Sequence, residues 1–250
     1  ATAVPHGPGG FMNLGLWEAG TRSRTEASET LMARIVEGIV RHGAQGDPAR
    51  AKVLDVACDL GGTTLYLSRT WPADGLYGIN LTEDQLAVCE TRAPGCHFLR
   101  MDAARLGFPD SFFDHVVCVE AAFYFKTRRD FLMEAHRVLK PGGVLALTDM
   151  LFVPEMYDIF PAYAASLPAA NELASLAEYE LQLREVGFSH CYLRDITEEG
   201  WRRYFPFSAA QLHRDWAAGR LRFAWLQQML DSLYVMECAI DTQLLCFAVK

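Results

Sequence analysis

Short apolar runs, alternating with stretches of helical spacing, constrain this chain more than any other feature. The runs are 53–57, 75–80, 97–101, 114–120 and 144–149; helical stretches occupy 25–42, 83–92 and 128–139, the last stopped by Pro141-Gly142-Gly143. An apolar run of about four to eight residues bounded by turn signals suits a strand buried on both faces. Strands alternating with helices predict an α/β fold, a parallel sheet with helices on both faces. A further helix at 177–186, a strand at 190–196, an aromatic helical insertion around 201–234 and a last strand at 242–250 complete the reading. In such a sheet ligands lie beyond the carboxyl ends of the strands, where strand order reverses. Chemistry is therefore expected just after each run.

The first run continues as Val53-Leu54-Asp55-Val56-Ala57-Cys58-Asp59-Leu60-Gly61-Gly62. An acid near the strand end, with small residues in the turn, lets backbone approach a ligand closely. This resembles the DxGxGxG motif of class I S-adenosylmethionine (SAM)-dependent methyltransferases, with Ala57 and Asp59 at two of the glycine positions. The second run, Gly78-Ile79-Asn80-Leu81-Thr82-Glu83-Asp84-Gln85, resembles the small-molecule and lipid branch of that family. An NAD-binding chain would carry GxGxxG and an acid about 20 residues later; neither is present.

Further motifs follow in the family's order. Arg100-Met101-Asp102-Ala103 follows the third run, and Phe113–Glu120 continues into Ala121-Ala122-Phe123-Tyr124-Phe125. Arg137-Val138-Leu139-Lys140-Pro141-Gly142-Gly143 resembles the family's RVLKPGG helix end, and Asn13-Leu14-Gly15-Leu16-Trp17 its NLGYW box. The resemblance spans residues 11 to about 196. It implies a Rossmann-like seven-stranded sheet with an N-terminal helical lid and a helical insertion before the last strand. It implies SAM as cofactor, held by Asp55, Ala57, Asp59, Gly61, Asn80, Leu81, Gln85, Asp102, Ala103 and Glu120. Asp102 has a second reading, a helix N-cap before Ala103-Ala104.

The resemblance places Asn13, Leu16, Trp17, Phe152 and Tyr157 on the substrate and lid side, and Asp149, Tyr124 and Glu120 as catalytic candidates. Relatives that methylate sugar hydroxyls carry a histidine at the position of Tyr124. A tyrosine ordinarily titrates near 10, so service as a base at neutral pH needs about 4 kcal/mol from its surroundings. Tyr124 as a wall of the substrate pocket is the other reading. The implied reaction is methyl transfer to a small, largely apolar metabolite, oxygen first and carbon second. A methyltransferase-fold cyclase or a non-methylating partner subunit is the alternative, motivated by Asp59 and the missing glycines.

Composition sets the remaining limits. Formal charge is −8, from 23 basic and 31 acidic side chains, and an acidic surface repels nucleic acid. The uncharged stretch 159–171 holds two prolines and is too short to span a bilayer. The first 21 residues lack the basic start and apolar run of a secretory signal. Seven cysteines without CxxC spacing point to a reduced, cytoplasmic protein with no zinc or other metal site. The whole of 1–250 reads as one domain: arm and helix at 1–45, SAM-binding core at 50–150, lid and insertions at 151–176 and 197–240. A small-molecule substrate is the expected partner, and a homo-oligomer stays open.

Overall fold

The computed structural model describes residues 9–44, 46–156, 161, 165 and 167–250. Tyr157, together with Phe160 and Tyr163, lies outside the described residues. The strands are β1 (Val53–Val56), β2 (Leu76–Asn80), β3 (His97–Arg100), β4 (Phe113–Val119), β5 (Leu139–Phe152), β6 (His190–Asp195) and β7 (Ile240–Val249). Their order is β3-β2-β1-β4-β5-β7-β6. The chain builds outward from β1 to β3, then returns to lay β4 against β1, so strand order reverses between β1 and β4.

β1 to β5 are parallel, as expected, whereas β7 is antiparallel to both neighbours. The reason lies in the insertion. The chain leaves β6 into the helices Trp201–Ala217 and Phe223–Ala239, which pack with Phe123 and Met150 at the carboxyl edge, and so enters β7 from that edge, Ile240 lying beside Phe152.

The helices are α1 (Arg24–His42), α2 (Gly62–Leu67), α3 (Glu83–Arg92), α4 (Arg128–Val138), α5 (Leu176–Val186), α6 (Trp201–Ala217) and α7 (Phe223–Ala239). Strand periodicity distributes the core between two faces. Val116, Cys118, Leu145 and Leu147 pack with Phe131 and Leu132 of α4 and with Tyr179 and Leu183 of α5. Val117, Val119, Val144 and Ala146 pack with Leu31, Met32, Ile35 and Ile39 of α1. The approach of α1 requires Gly38, where a Cβ would stand 2.0 Å from the Phe247 ring. Ser23 caps α1, its hydroxyl accepting from the Glu26 amide at 3.2 Å, which satisfies one of the helix's orphan donors.

The NLGYW-like box is an extended strap rather than a helix, and α1 follows it. Gly10 and Gly15 hold φ of 69° and 79°. A Cβ on Gly62 would lie 2.7 Å from the Gly10 carbonyl, so the strap crosses directly over the start of α2. It is pinned further on: the Leu16 amide donates to Ala27 O at 2.9 Å and the Trp17 amide to Glu199 O at 2.6 Å. α6 and α7 form a third cluster, in which Trp201 and Tyr204 pack with Trp17, Phe123 and Met150.

Candidate active site

The turn after β1 explains its own sequence. Ala57, Asp59 and Gly61 have φ of 57°, 48° and 79°, three left-handed residues at alternate positions. A residue with a Cβ pays roughly 1–2 kcal/mol for that conformation, which is why glycine suits these places; aspartate tolerates it better than most. Asp55 is buried, and one of its oxygens accepts from the Thr64 hydroxyl at 2.6 Å, which ties α2 to the strand end. Burial pushes the Asp55 carboxyl up to about 7 and that of Asp59 to about 6. Among the described residues, no hydrogen bond reaches the Asp59 carboxyl.

Register lines up the next turns along the same edge. Val56 lies beside Ile79 and Asn80 beside Arg100. Asn80 donates from Nδ2 to Gln85 Oε1 at 2.9 Å and accepts on Oδ1 from the Leu81 amide at 2.8 Å. The structure thus brings Asn80 and Gln85 together as a fixed polar pair, while the Leu81 side chain is exposed. Asp102 accepts on Oδ1 from the Ala104 amide at 2.9 Å, but no helix follows before β4, so the bond caps a turn rather than a helix. Its Oδ2 makes no hydrogen bond among the described residues and remains available to a ligand. Ala103 is buried in the first core cluster.

Beyond β4, Glu120 also adopts a left-handed conformation, φ 51°. Its carboxyl accepts from the Leu14 amide of the strap at 2.8 Å and from Gln243 Nε2 at 2.7 Å. Burial raises it to about 8 against those two bonds and the pull of Arg24, and Asp149 adds to the rise. Gln243 is fully buried, and its other side-chain atom accepts from the Trp201 amide at 2.7 Å. Glu120 therefore joins the strap, the last strand and the α6 insertion.

Asp149 has a different setting from that of an accessible base. It is fully buried and accepts four hydrogen bonds: from Arg128 Nε at 2.6 Å, Tyr179 Oη at 2.9 Å, the Phe123 amide at 3.2 Å and the Met150 amide at 3.0 Å. Arg128 is buried too, at 1% exposure, and donates from Nη1 to Asn171 O at 2.5 Å. Asn171 Nδ2 reaches the carbonyls of Phe123 at 3.1 Å and Phe125 at 2.7 Å. The backbone on both sides of Tyr124 is therefore gripped. Tyr124 itself is 50% exposed, beside Phe123, whose ring centroid is 4.2 Å away.

On the lid side, Asn13 is buried, and its Oδ1 has no hydrogen-bond partner among the described residues. Leu16 and Trp17 are buried in the second and third clusters, and Phe152 packs edge-on against Phe123 at 5.5 Å. Leu16 thus fills core where the family's tyrosine would stand. The sequence reading missed Thr64, Arg128, Asn171, Tyr179 and Gln243. Gln243, a lone amide inside an apolar run, carried a signal; the others look like ordinary helix and loop residues until the fold assembles them. A cavity of about 330 Å3, lined by Trp71, His115 and Lys140 among others, opens at the opposite, amino edge of the sheet.

The carboxyl edge thus gathers three buried or half-buried carboxyls, Asp55, Asp59 and Glu120, all raised by burial. Beside them stand a fixed amide pair and a further carboxylate with an open oxygen. That donor set suits a ligand with a cationic end and a hydroxylated, amine-bearing end, and SAM has both.

Residues 54–147 match the family described as a methyltransferase domain. The chain is 32% identical over 176 residues to a phthiotriol/phenolphthiotriol dimycocerosates methyltransferase of Mycobacterium tuberculosis, covering 68% of this chain and 63% of that one. It spans less than two thirds of that relative's length. It is 28% identical to the erythromycin 3''-O-methyltransferase of Saccharopolyspora erythraea, over 79% of this chain and 69% of that one. The fold is similar to that of the (4+2)-cyclase SpnF, with a TM-score of 0.70 at 23% identity, covering 96% of this chain and 87% of the other. With the motif order, the sheet and the three left-handed residues of the first turn, these likenesses establish that residues 54–147 are a domain of the methyltransferase family.

Proposed function

We propose that this protein is a SAM-dependent methyltransferase that acts on a small, largely apolar metabolite of secondary metabolism, with oxygen as the preferred acceptor. The observation that carries the reading is the carboxyl-edge cleft, where Asp55, Asp59 and Glu120 await a cation and Asn80, Gln85 and Asp102 await hydroxyl and amino groups. Bound there, SAM supplies an electrophilic methyl group on a positively charged sulfur. The chain's part is to orient the acceptor and exclude water. Ala57, Gly61 and Leu81 offer backbone to the cofactor, and Ala103 forms a floor under it. The strap, fixed through Leu14 to Glu120, covers it.

For an oxygen acceptor a proton must leave. Tyr124 is the side chain at the substrate edge that can take part, as relay or as wall. Asp149 acts behind it by fixing the Phe123 amide, so its role is positioning. Phe123, Phe152 and Met150 provide an apolar surface for the metabolite. In this reading 50–150 bind the cofactor, and the strap at 9–23 and the 197–240 insertion enclose the substrate. No described helix is long and apolar enough to cross a membrane. The seven free thiols support a reducing, cytoplasmic setting.

A second reading, a cyclase on the same fold, is favoured by the engagement of Asp149, whose carboxyl is taken up by Arg128, Tyr179 and two backbone amides rather than facing an acceptor. Transfer of label from methyl-labelled SAM to apolar hydroxylated metabolites tests the first reading. SAM binding by calorimetry without transfer to any oxygen or carbon acceptor would favour the second. No binding at millimolar SAM would sink both cofactor-dependent forms.

A further inference from the structure

Cys58 lies inside the cofactor turn, between the left-handed residues Ala57 and Asp59. Its Sγ is 3.9 Å from Sγ of Cys89 on α3, and both side chains are buried. Cys89 Sγ also donates to Asp59 O at 3.2 Å. A Cβ on Gly61 would stand 3.2 Å from the same sulfur. The pair therefore sits directly under the backbone of the turn. Gly78 makes room for it, since a Cβ there would meet Cys58 Sγ at 3.1 Å. Leu86 and Phe98 complete a small cluster around the two thiols.

We propose that Cys58 and Cys89 form a dithiol site that a peroxide closes to a disulfide, and that closure reshapes the turn after β1. Van der Waals contact is already made, and a disulfide needs the sulfurs about 2 Å closer. The two thiols are not equivalent. The bond between them and the nearby Arg92 favour the thiolate at Cys89, while Cys58 is pushed upward by its bond to Cys89 and by burial. Cys89 is thus the attacking sulfur.

The chemistry balances with a peroxide as oxidant. The Cys89 thiol gives up its proton, and the thiolate attacks one oxygen of hydrogen peroxide. The O–O bond breaks, leaving a sulfenic acid and a hydroxide that takes up that proton. Cys58 sulfur then attacks the Cys89 sulfur. The S–O bond breaks, and the departing hydroxyl leaves as water with the Cys58 proton. Two thiols are oxidised, one peroxide is reduced and two waters form. Peroxide is small enough to enter during local opening of the strap over Gly62, whereas a bulky disulfide reagent is not.

The consequence falls on the turn. The Cys58 amide donates to Ile79 O at 3.0 Å and the Gly61 amide to Cys58 O at 2.8 Å. Drawing Cys58 toward α3 shifts a backbone already held in three left-handed conformations. Displacements near 1 Å at such a site cost on the order of 100-fold in productive geometry.

The experiment is a peroxide titration of the folded, fully reduced protein, followed by alkylation, tryptic digestion and mass spectrometry. Tryptic peptide 53–69 contains Cys58 as its one cysteine, and peptide 70–92 contains Cys89 as its one cysteine. The expected result is a dithiothreitol-reversible cross-link between these two peptides that has lost two hydrogens. It should be absent in Cys89→Ala and Cys58→Ala and lost when the protein is oxidised in guanidinium. Hydrogen exchange should report changed protection at 57–62 in the oxidised form. Oxidation of Cys238 or Cys96 without this cross-link would overturn the proposal, and a cross-link with unchanged exchange at 57–62 would overturn its second half. Neither readout uses SAM, so failure of the methyltransferase reading is distinguished from failure of this one.

Discussion

Replacing Arg128 by methionine tests the buried clamp most directly. The substitution keeps an unbranched stem but removes the counter-charge from Asp149, whose carboxyl is fully enclosed and 2.6 Å from Arg128 Nε. Removing one partner of a buried pair leaves an uncompensated charge and costs about 3–5 kcal/mol. For a chain of this size that lowers Tm by about 6–20 °C. Asp149→Leu should cost a similar amount, since it strands the guanidinium and two backbone amides. The double variant should be less damaged than the sum of the two, with a coupling of at least about 2 kcal/mol. Urea denaturation of the three variants gives the cycle. Additive single effects, or an Arg128→Met cost below about 1 kcal/mol, would refute the clamp. Activity separates the clamp from a base. A positioning role predicts that Asn171→Ala, which frees the Phe123 and Phe125 carbonyls, also lowers kcat with an unchanged pH profile. If Asp149 were the base, Asp149→Asn would flatten that profile while Asn171→Ala left the rate alone.

Asp59→Gly should relieve the left-handed strain and stabilise the fold by up to about 1 kcal/mol, whereas Asp59→Asn, which tolerates the same φ, should leave stability unchanged. Asp59→Asn should weaken SAM about tenfold through loss of a charge-assisted contact; tighter binding in either variant, measured by calorimetry, would mark the acid as a liability. Asp55, Asp59 and Glu120 are raised to about 7, 6 and 8, above their unfolded values near 4. The folded state therefore holds the extra protons. The stability they contribute is full below pH about 4, falls as pH rises and is gone above about 8. A cationic ligand reverses the sign: its affinity should rise with pH up to about 8, with proton release on binding, and an affinity that fell over that range would exclude these carboxyls from the cation site. Asp102→Ala should cost about 1–3 kcal/mol in SAM binding if Oδ2 takes the adenine amino group; unchanged affinity would leave it only its turn-capping bond to Ala104.

Most of the architecture was legible along the chain, the antiparallel placement of β7 excepted. Strand and helix periodicities are set by backbone geometry and local burial pattern, so β1 to β5, the aromatic insertion and the helices read at 25–42, 83–92 and 128–139 could be placed, those three helices to within a residue at their ends. The motif order also located Asp55, Asn80, Gln85, Asp102 and Glu120 at the carboxyl edge, because residues that follow parallel strands must gather there. What those side chains face emerged only once distant segments had packed together. Asp149 reads in sequence as an acid after a strand, and becomes the centre of a buried clamp through Arg128, Asn171 and Tyr179, which are 21, 22 and 30 residues away. Glu120 is bonded to Leu14 and Gln243, 106 and 123 positions off, a meeting that no local pattern encodes. The departures at Ala57 and Asp59 likewise acquired meaning only with their dihedrals, since a one-letter change from glycine does not say whether the backbone kept its left-handed turn. Here it did, because the β1–β2 and β1–β4 pairings and the strap fix both ends of that turn.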